Sequence, residues 1–584
     1  MIGKIVSIKN SVVYVQLSIN IYQVENLIGK NVTFADRYIG EVIGATSTTL
    51  EITLIGEIIN NSFVPGSVGI PPFNASCRLT SITEVDIIYG VDKTSNVIKV
   101  GKSYIYDNYD IYLNVNSFFA NHFAIFGNSG SGKSHFISRL LQGIFYDAKR
   151  LPYNTNLFLF DAYGEYEQAF NNISKVNNNL NYKVITTDLR ENKYDILKIP
   201  FWLLSVDDIC LLLDVDDVRQ VSIVEKALKL VTYFCRNDDD SVIVQKNDII
   251  ARCLLDIIFS SGNTNEIRNT IVTILTKFYT KDLNLDITLT KGGWSRTIRQ
   301  CIYIDQTGKF ADIEIVISYL EQFCTNVFEL SFPDGSFMYS IKDFYTSLEF
   351  ALINEGIFSS SRIFDYANVL KTRLNTLINN DYVNYFNCEK YMNKNDYIKY
   401  LLTSSNGGKC QIVNFNINSV DDRFAKVIVK IFSKLLFDYV VRLPQRASIA
   451  FHIVLEEAHR YVQDDVDRKI LGDNIFERIT KEGRKYGILL GLISQRPSEI
   501  SETAVSQCSN FAVFKIFHPV DIQFISSAIS GMSEGMMQRV KVLNPGSCIL
   551  FGTAFKFPVL TTVDMPNPTP LSQSCDINST WYIN

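Results

Sequence analysis

The chain opens on short runs in which apolar and polar residues alternate. KIVSIK, SVVYVQL, YIGEVIGAT and TLEITLIGEI have the two-residue period of half-buried strands, with Gly, Asn and Pro between them. Several such strands in succession predict a small N-terminal β-barrel over residues 1–116, a module suited to assembly or docking. The texture then changes. HFAIF (His122 to Phe126), NLFLFD (Asn156 to Asp161) and YKVITTD (Tyr182 to Asp188) are apolar runs that read as buried strands. FISRLLQGIF (Phe136 to Phe145), between the first two, has helical spacing. Residues 117–196 are therefore the first part of an α/β core.

From 197 to 400 the period becomes helical. SVDDICLLLDV, VRQVSIVEKALKLVTYF and EIRNTIVTILTKFY place apolar residues three and four apart, with acidic residues near their starts. This segment is either a helical insertion within the α/β core or an independent helical domain. The strand pattern returns over 401–557 in KCQIVNFN, ASIAFHIVLEEAHR, YGILLGLISQRPS, FAVFKIFH and GSCILFG. Residues 558–584, with MPNPTPLSQS, read as an extended tail that contacts a neighbour. The fold class is α/β, with inserted helices and an N-terminal β-barrel.

Composition narrows the setting. The net charge of −5 and the pI near 5.7 argue against a uniformly basic surface that coats nucleic acid, but leave room for a local basic channel. TKGGWSRTIRQ (Thr290 to Gln300) is locally basic and is either such a contact or a solvated loop. No apolar run reaches the ~18 residues of a membrane span. The 11 Cys contain no C-x-x-C pair and the 5 His no zinc spacing, so a reducing cytoplasm is the simplest location.

The stretch that carries chemistry lies between HFAIF and the helix after it. GNSGSGKS (Gly127 to Ser134) fits G-x-x-x-x-G-K-[ST], in the strand–loop–helix context that the motif requires. Gly127, Gly130 and Gly132 let the backbone curl so that successive N–H groups, including those of Asn128, Ser129 and Ser131, face phosphate oxygens. The helix adds its positive end. The predicted nucleotide-binding run extends through Lys133 and Ser134 to His135. Lys133 suits the β- and γ-phosphates and Ser134 suits Mg²⁺, so ATP and Mg²⁺ are the expected cofactors.

Further polar groups stand at strand ends, where ligands bind in open parallel sheets. FHIVLEE ends in Glu456, assigned to the magnesium side, and Glu457, assigned as general base; otherwise they are a capping acid and a solvated one. Gln495, in SQR, is the candidate to touch the γ-phosphate or the attacking water; otherwise SQR is a turn with Arg496 solvated. Arg484, in KEGRKYG, precedes its strand and lies away from its own nucleotide end. It is either a surface cation or an arginine that reaches a neighbour's ATP.

In order, HFAIFGNSGSGKS, DAYGEY, VLEEAHR, EGRKYGILLGLISQRPSEIS, FKIFHPVD and LNPGSCILFG resemble the HerA family of hexameric DNA translocases and helicases, relatives of the FtsK motors. The resemblance implies a RecA-like P-loop ATPase core with an inserted helical bundle, a β-barrel on one face of a homohexameric ring, ATP between subunits and double-stranded DNA in the channel. It places Lys133 and Ser134 on the phosphate and Mg²⁺ residues, Glu456 and Glu457 on the acidic pair, Gln495 on the sensor and Arg484 on the trans-acting arginine. Two positions depart from the family: Tyr163 stands where the turn usually has His, and Glu456 where many relatives have Asp. The family also implies a separate nuclease or sirtuin-like, NAD-hydrolysing effector docked on the barrel, in DNA end processing or antiviral defence. The alternative is an ATP-binding hexameric scaffold that activates an effector with little translocation.

Overall fold

The fold was obtained as a computed structural model. It describes residues 1–584 apart from 10–11, 19–26, 67–68, 92–95, 147–150, 237–239, 325–329, 359–360, 464–473, 530–533, 573–576 and 582–584, and apart from the side chains of 356–358, 361–367, 534 and 578–579. The chain forms two compact units. One comprises Met1–Ile196 and the described residues from Ile398 onward, and the other comprises Leu197–Tyr397.

The first unit begins with a closed barrel. Among the described residues, Val12–Leu17, Gly3–Lys9, Ser76–Leu79, Asn31–Phe34, Tyr38–Ala45 and Thr49–Ile59 pair in that order, and Val12–Gln16 closes the ring on Thr49–Thr53. Ser62–Pro65 hangs from the outer end of the last strand. Alternation sends Val13, Val15, Leu50 and Ile52 inward, all fully buried, which is the two-residue period of the sequence expressed as a core. Register shifts at Ile5/Ser7, Ile39/Gly40 and Val42/Gly44 add the twist that closure needs.

The second sheet has twelve strands among the described residues. Their order is Asp195–Ile196, Tyr182–Thr186, Ile412–Asn416, Leu157–Asp161, Phe451–Leu455, Ile488–Ser494, Phe123–Phe126, Asn510–Val513, Ser547–Gly552, Val559–Val563, Val97–Ser103, Asp110–Asn114. The pairings are parallel up to Asn510–Val513 and antiparallel beyond it. The parallel strands are covered on both faces, so they read as unbroken apolar runs. Ile488–Ser494 is buried at all seven positions. Helices Lys133–Phe145 and Asp422–Val441 contribute Phe136, Leu140, Phe432 and Leu436, all fully buried.

Two features differ from the sequence expectation. Val97–Ser103 and Asp110–Asn114, read as part of the barrel, join the second sheet, because alternation alone does not say which sheet a hairpin joins. The segment after Pro558 is partly a strand of its own core: Val559–Val563 pairs with Ser547–Leu550 and with Gly101–Ser103. Further on, Gln142 ties Asn567 and Pro568 to the helix that follows the P-loop, and the Leu571 N–H donates to the Glu165 carbonyl at 2.8 Å.

The second unit is mainly helical. Val218–Phe234, Asp240–Ile258, Thr264–Lys277 and Ile341–Phe358 are among its long helices, and Phe234, Phe278 and Phe350 meet with ring centroids 4.8–5.4 Å apart. TKGGWSRTIRQ forms a hairpin rather than a loop: Thr288–Lys291 pairs with Trp294–Thr297 around Gly292 and Gly293, both left-handed. Arg296 is engaged by Asp312, and Arg299 lies 3.4 Å from Asp286, so part of its basic charge is balanced within the unit.

Among the described cysteines none is disulfide-bonded, and Cys77 and Cys508 are buried thiols whose pKa burial pushes up to about 12.

The sheet constrains one position tightly. Gly491 pairs with Phe123, and a Cβ on Gly491 would lie 2.3 Å from Phe123 Cζ. Phe123 cannot retreat, because Phe118 and Phe119 pack on it at 4.9 and 5.7 Å. Gly491→Ala should therefore cost about 1–3 kcal/mol by overpacking. Denaturant unfolding measures this, and an unchanged midpoint would contradict the packing described.

Candidate nucleotide-hydrolysis site

The parallel registers bring several strand ends to one level. Phe160 pairs with Leu455, Leu455 with Leu492, Phe126 with Ser494, and Phe126 with Val513. Gly127, Asp161, Glu456, Gln495 and Phe514 thus emerge along one edge. The P-loop is pinned on both sides: the Gly127 N–H donates to the Ser494 carbonyl at 3.2 Å and the Asn128 N–H to the Lys515 carbonyl at 2.9 Å. Gly130 and Gly132 are left-handed, with φ of 70° and 115°, and a Cβ on Gly127 would fall 2.5 Å from Phe514 Cβ. The three glycines of the motif are each required by backbone geometry. Ser129 and Gly130 are exposed at the tip, whereas Ser131 is buried and Ser134 and His135 are half-buried.

Lys133 is 9% exposed, and its Nζ donates to the Asn128 carbonyl at 3.1 Å. Burial draws its pKa down, while Glu457, Glu456 and Glu165 act to hold it up. The loop thus presents one ammonium to three carboxyls.

The two acids differ. Glu456 is fixed: its Oε2 accepts the Ala162 N–H at 3.1 Å and its Oε1 the Tyr166 hydroxyl at 3.3 Å. Burial, reinforced by Asp161, Glu165 and Glu457, raises its pKa well above the carboxylate range. Glu457 has left-handed backbone, φ 50° and ψ 47°, a conformation costing of order 1–3 kcal/mol for a non-glycine residue. Burial raises its pKa, while Lys133 and the Gln495 backbone N–H lower it. Its Oε2 is buried with no hydrogen-bond partner among the described residues, although His459 Nδ1 is 3.2 Å away and 3.1 Å from Ser494 Oγ. A buried, uncommitted carboxylate oxygen beside the end of a strand is a group free to take a proton.

No cluster of three or more His, Cys, Asp or Glu among the described residues forms a cage for a metal ion. Mg²⁺ takes one or two protein groups and draws its remaining ligands from phosphate and water.

The structure adds residues to which the sequence reading gave no role. The Asp161 carboxylate organises the turn DAYGEY by accepting the N–H groups of Tyr163, Gly164, Glu165 and Tyr166 at 2.7–3.3 Å, with Asn414 Nδ2 at 3.2 Å. The turn carries Glu165 and Tyr166 back to Ser134. Burial raises the Glu165 pKa and a hydrogen bond with Ser134 opposes the rise. The signal was present as an acid closing a strand with Gly three residues later, a pattern that a carboxylate-capped turn requires. Tyr163, at the family's His position, is 53% exposed and feels the charges of Glu457 and Arg460.

Arg484 is not brought to this edge. It is exposed, precedes Ile488–Ser494, and lies near His122, at the foot of the P-loop strand. Its guanidinium has no ion pair among the described residues. His122 is 3% exposed, its Nδ1 accepts the Leu490 N–H at 2.9 Å, and burial, with His452 and Arg484, lowers its pKa to about 4.

A P-loop on a parallel sheet, with an acid pair and an amide at neighbouring strand ends, defines a P-loop ATPase of the RecA-like kind. Residues 98–288 match the family model described as "Helicase HerA, central domain". The DNA double-strand break repair helicase HerA of Pyrococcus furiosus is 21% identical over 90% of this chain and 79% of its own length. A probable helicase of Methanocaldococcus jannaschii is 28% identical over 25% of this chain but only 29% of its own length. The chain is thus similar to HerA helicases over about nine-tenths of its length. Among solved structures, VirB4 of Thermoanaerobacter pseudethanolicus aligns with a TM-score of 0.42 at 10% identity over 81% of this chain and 97% of that one. The plasmid coupling protein TrwB in complex with ADP and Mg²⁺ aligns at 0.37 and 11% over 76% and 85%. No helix among the described residues is long and apolar enough to cross a membrane.

The buried His122 makes stability depend on pH. Its pKa falls from 6.5 to about 4 on folding, so below 6.5 the unfolded chain takes a proton that the folded chain refuses. Its contribution is complete above pH 6.5 and is lost as pH falls toward 4, on the order of 3 kcal/mol in all. The stability advantage of wild type over His122→Asn should therefore shrink across that window in urea titrations. A gap that stays constant with pH would contradict the assignment.

Proposed function

We propose that the chain is a subunit of a homohexameric, ATP-dependent double-stranded DNA translocase in which each hydrolysis site is completed by a neighbour. One observation supports the reading: Lys133, Glu456, Glu457 and Gln495 converge at one edge of the sheet, whereas Arg484 stands at its foot, away from this site, and in this reading it serves another subunit's nucleotide. The relatives named as HerA helicases support DNA as the track.

In this reading the backbone from Gly127 to Gly132 cradles the phosphates, and Lys133 leaves the Asn128 carbonyl for the β- and γ-phosphates. Ser134 and Glu456 would hold Mg²⁺, which when bound neutralises charge on the phosphates. Glu165 and Tyr166 orient the Ser134 hydroxyl. Glu457 takes the proton of the attacking water, and Gln495 aligns that water against the γ-phosphate. The neighbour's Arg484 stabilises the charge that develops, a contribution of about 10³–10⁵ in rate where such arginines act. A separate effector, a nuclease or an NAD-hydrolysing enzyme, docks on the N-terminal barrel in DNA end processing or antiviral defence.

Single-turnover hydrolysis and triplex displacement test this. Lys133→Ala should lose ATP binding. Glu457→Gln should retain binding while hydrolysis falls by about 10²–10⁴, and it should displace no third strand where wild type does. Normal hydrolysis by both variants would overturn the site. A wild-type ATPase indifferent to DNA, with no displacement, would favour the scaffold instead.

A further inference from the structure

We propose that the cleft between helices Pro519–Ala528 and Glu534–Val540 seats the purine base of the nucleotide whose phosphates the P-loop holds, an inference that rests on the hydrolysis reading above. The argument begins with direction. Glu457 and Gln495 follow strands on one side of the P-loop strand, so the terminal phosphate faces that side. The nucleoside must leave on the other side, toward Asn510–Val513 and Ser547–Gly552. Both of those strands touch the loop where they reach the nucleotide edge. The Lys515 carbonyl accepts the Asn128 N–H, and the Ser131 carbonyl accepts the Gly546 N–H, each at 2.9 Å. A Cβ on Gly132 would lie 3.2 Å from Gly546 Cα.

The chain that leaves the first contact and the chain that arrives at the second form the cleft. Phe517 and Pro519 come just after Lys515, and Met537 and Lys541 come just before Gly546. The cleft is open, with a volume of about 500 Å³, within the usual range for small-molecule sites.

Its lining suits a planar heteroaromatic ring. Phe517 lines the cleft and is 60% exposed, so its ring is accessible from the cleft. The Lys515 ammonium sits 4.8 Å from the ring centroid on one face, which leaves the opposite face for stacking. Pro519 and the adaptable thioether of Met537 add apolar wall. Gln523 and Ser526, both exposed, supply an amide and a hydroxyl for the polar edge of a base. The phosphate loop grips any nucleoside triphosphate alike, so this cleft is where base preference is set.

The test measures binding of ATP, CTP and inorganic tripolyphosphate to the full-length protein. Tripolyphosphate engages the P-loop without a base. Phe517→Ala should weaken ATP binding about tenfold or more, the scale of one lost base–aromatic stack, and narrow the preference for ATP over CTP. Tripolyphosphate affinity should stay unchanged, which also reports an intact fold. Gln523→Ala should behave in the same direction. Equal weakening of ATP and tripolyphosphate, or no weakening of ATP, would overturn the cleft. Wild-type protein that binds neither would overturn the P-loop reading itself, and the base site with it. Wild-type protein that binds tripolyphosphate as tightly as ATP would overturn the base site alone.

Discussion

The parallel pairing of Phe123–Phe126 between Ile488–Ser494 and Asn510–Val513 is the constraint on which the site depends. It fixes the height at which the chain leaves each strand, and with it the height of the P-loop, of Gln495 and of Phe514. The pairing is tight because Gly491 leaves room for the Phe123 ring and no more. Beyond that edge, Gly127 and Asn128 hydrogen-bond to the two flanking strands, so the loop inherits the rigidity of the sheet. A preformed loop has less conformational entropy to lose when phosphate arrives.

The same edge concentrates negative charge. Glu165, Glu456 and Glu457 crowd one ammonium, Asp161 adds its charge against Glu456, and Glu456 and Glu457 are almost fully buried with raised pKa values. Such an arrangement is costly for stability alone. Asp161 is offset by four backbone N–H groups and Glu456 by Ala162 and Tyr166, whereas one oxygen of Glu457 has no hydrogen bond among the described residues and sits on a strained backbone. The strain and the uncommitted oxygen coincide at the residue to which the proton transfer is assigned, as stored strain does at functional sites.

Much of this was legible in the sequence because the signals are local. Unbroken apolar runs gave the parallel strands, alternation gave the barrel, and G-x-x-x-x-G-K-S gave the loop with its glycines. What stayed hidden depends on distant pairing. Nothing in VLTTV or VIKVGKS says that the two strands pair with each other, so Val559–Val563 reads as tail and Val97–Ser103 as barrel. Glu165 was visible as an acid in a turn, but its approach to Ser134 follows from the Asp161 hydrogen bonds, which only the folded turn makes. The hairpin around Gly292 and Gly293 was readable as turn chemistry, yet Arg296 and the nearby Arg299 face Asp312 and Asp286, which spacing does not reveal.

The chain thus carries the proposed hydrolysis site at one edge of its sheet and, at the other, an arginine with no ion pair among the described residues, and the central claim is that the two belong to different sites. Mixing two inactive variants tests it most directly. Lys133→Ala keeps Arg484 but lacks a working loop, and Arg484→Ala keeps the loop but lacks the arginine. Each alone should be inactive. Co-assembled, every Arg484→Ala loop followed by a Lys133→Ala subunit is complete, so ATP hydrolysis should reappear and peak at intermediate mixing ratios. Hydrolysis that stays absent at every ratio, or an Arg484→Ala protein as active as wild type, would contradict the account.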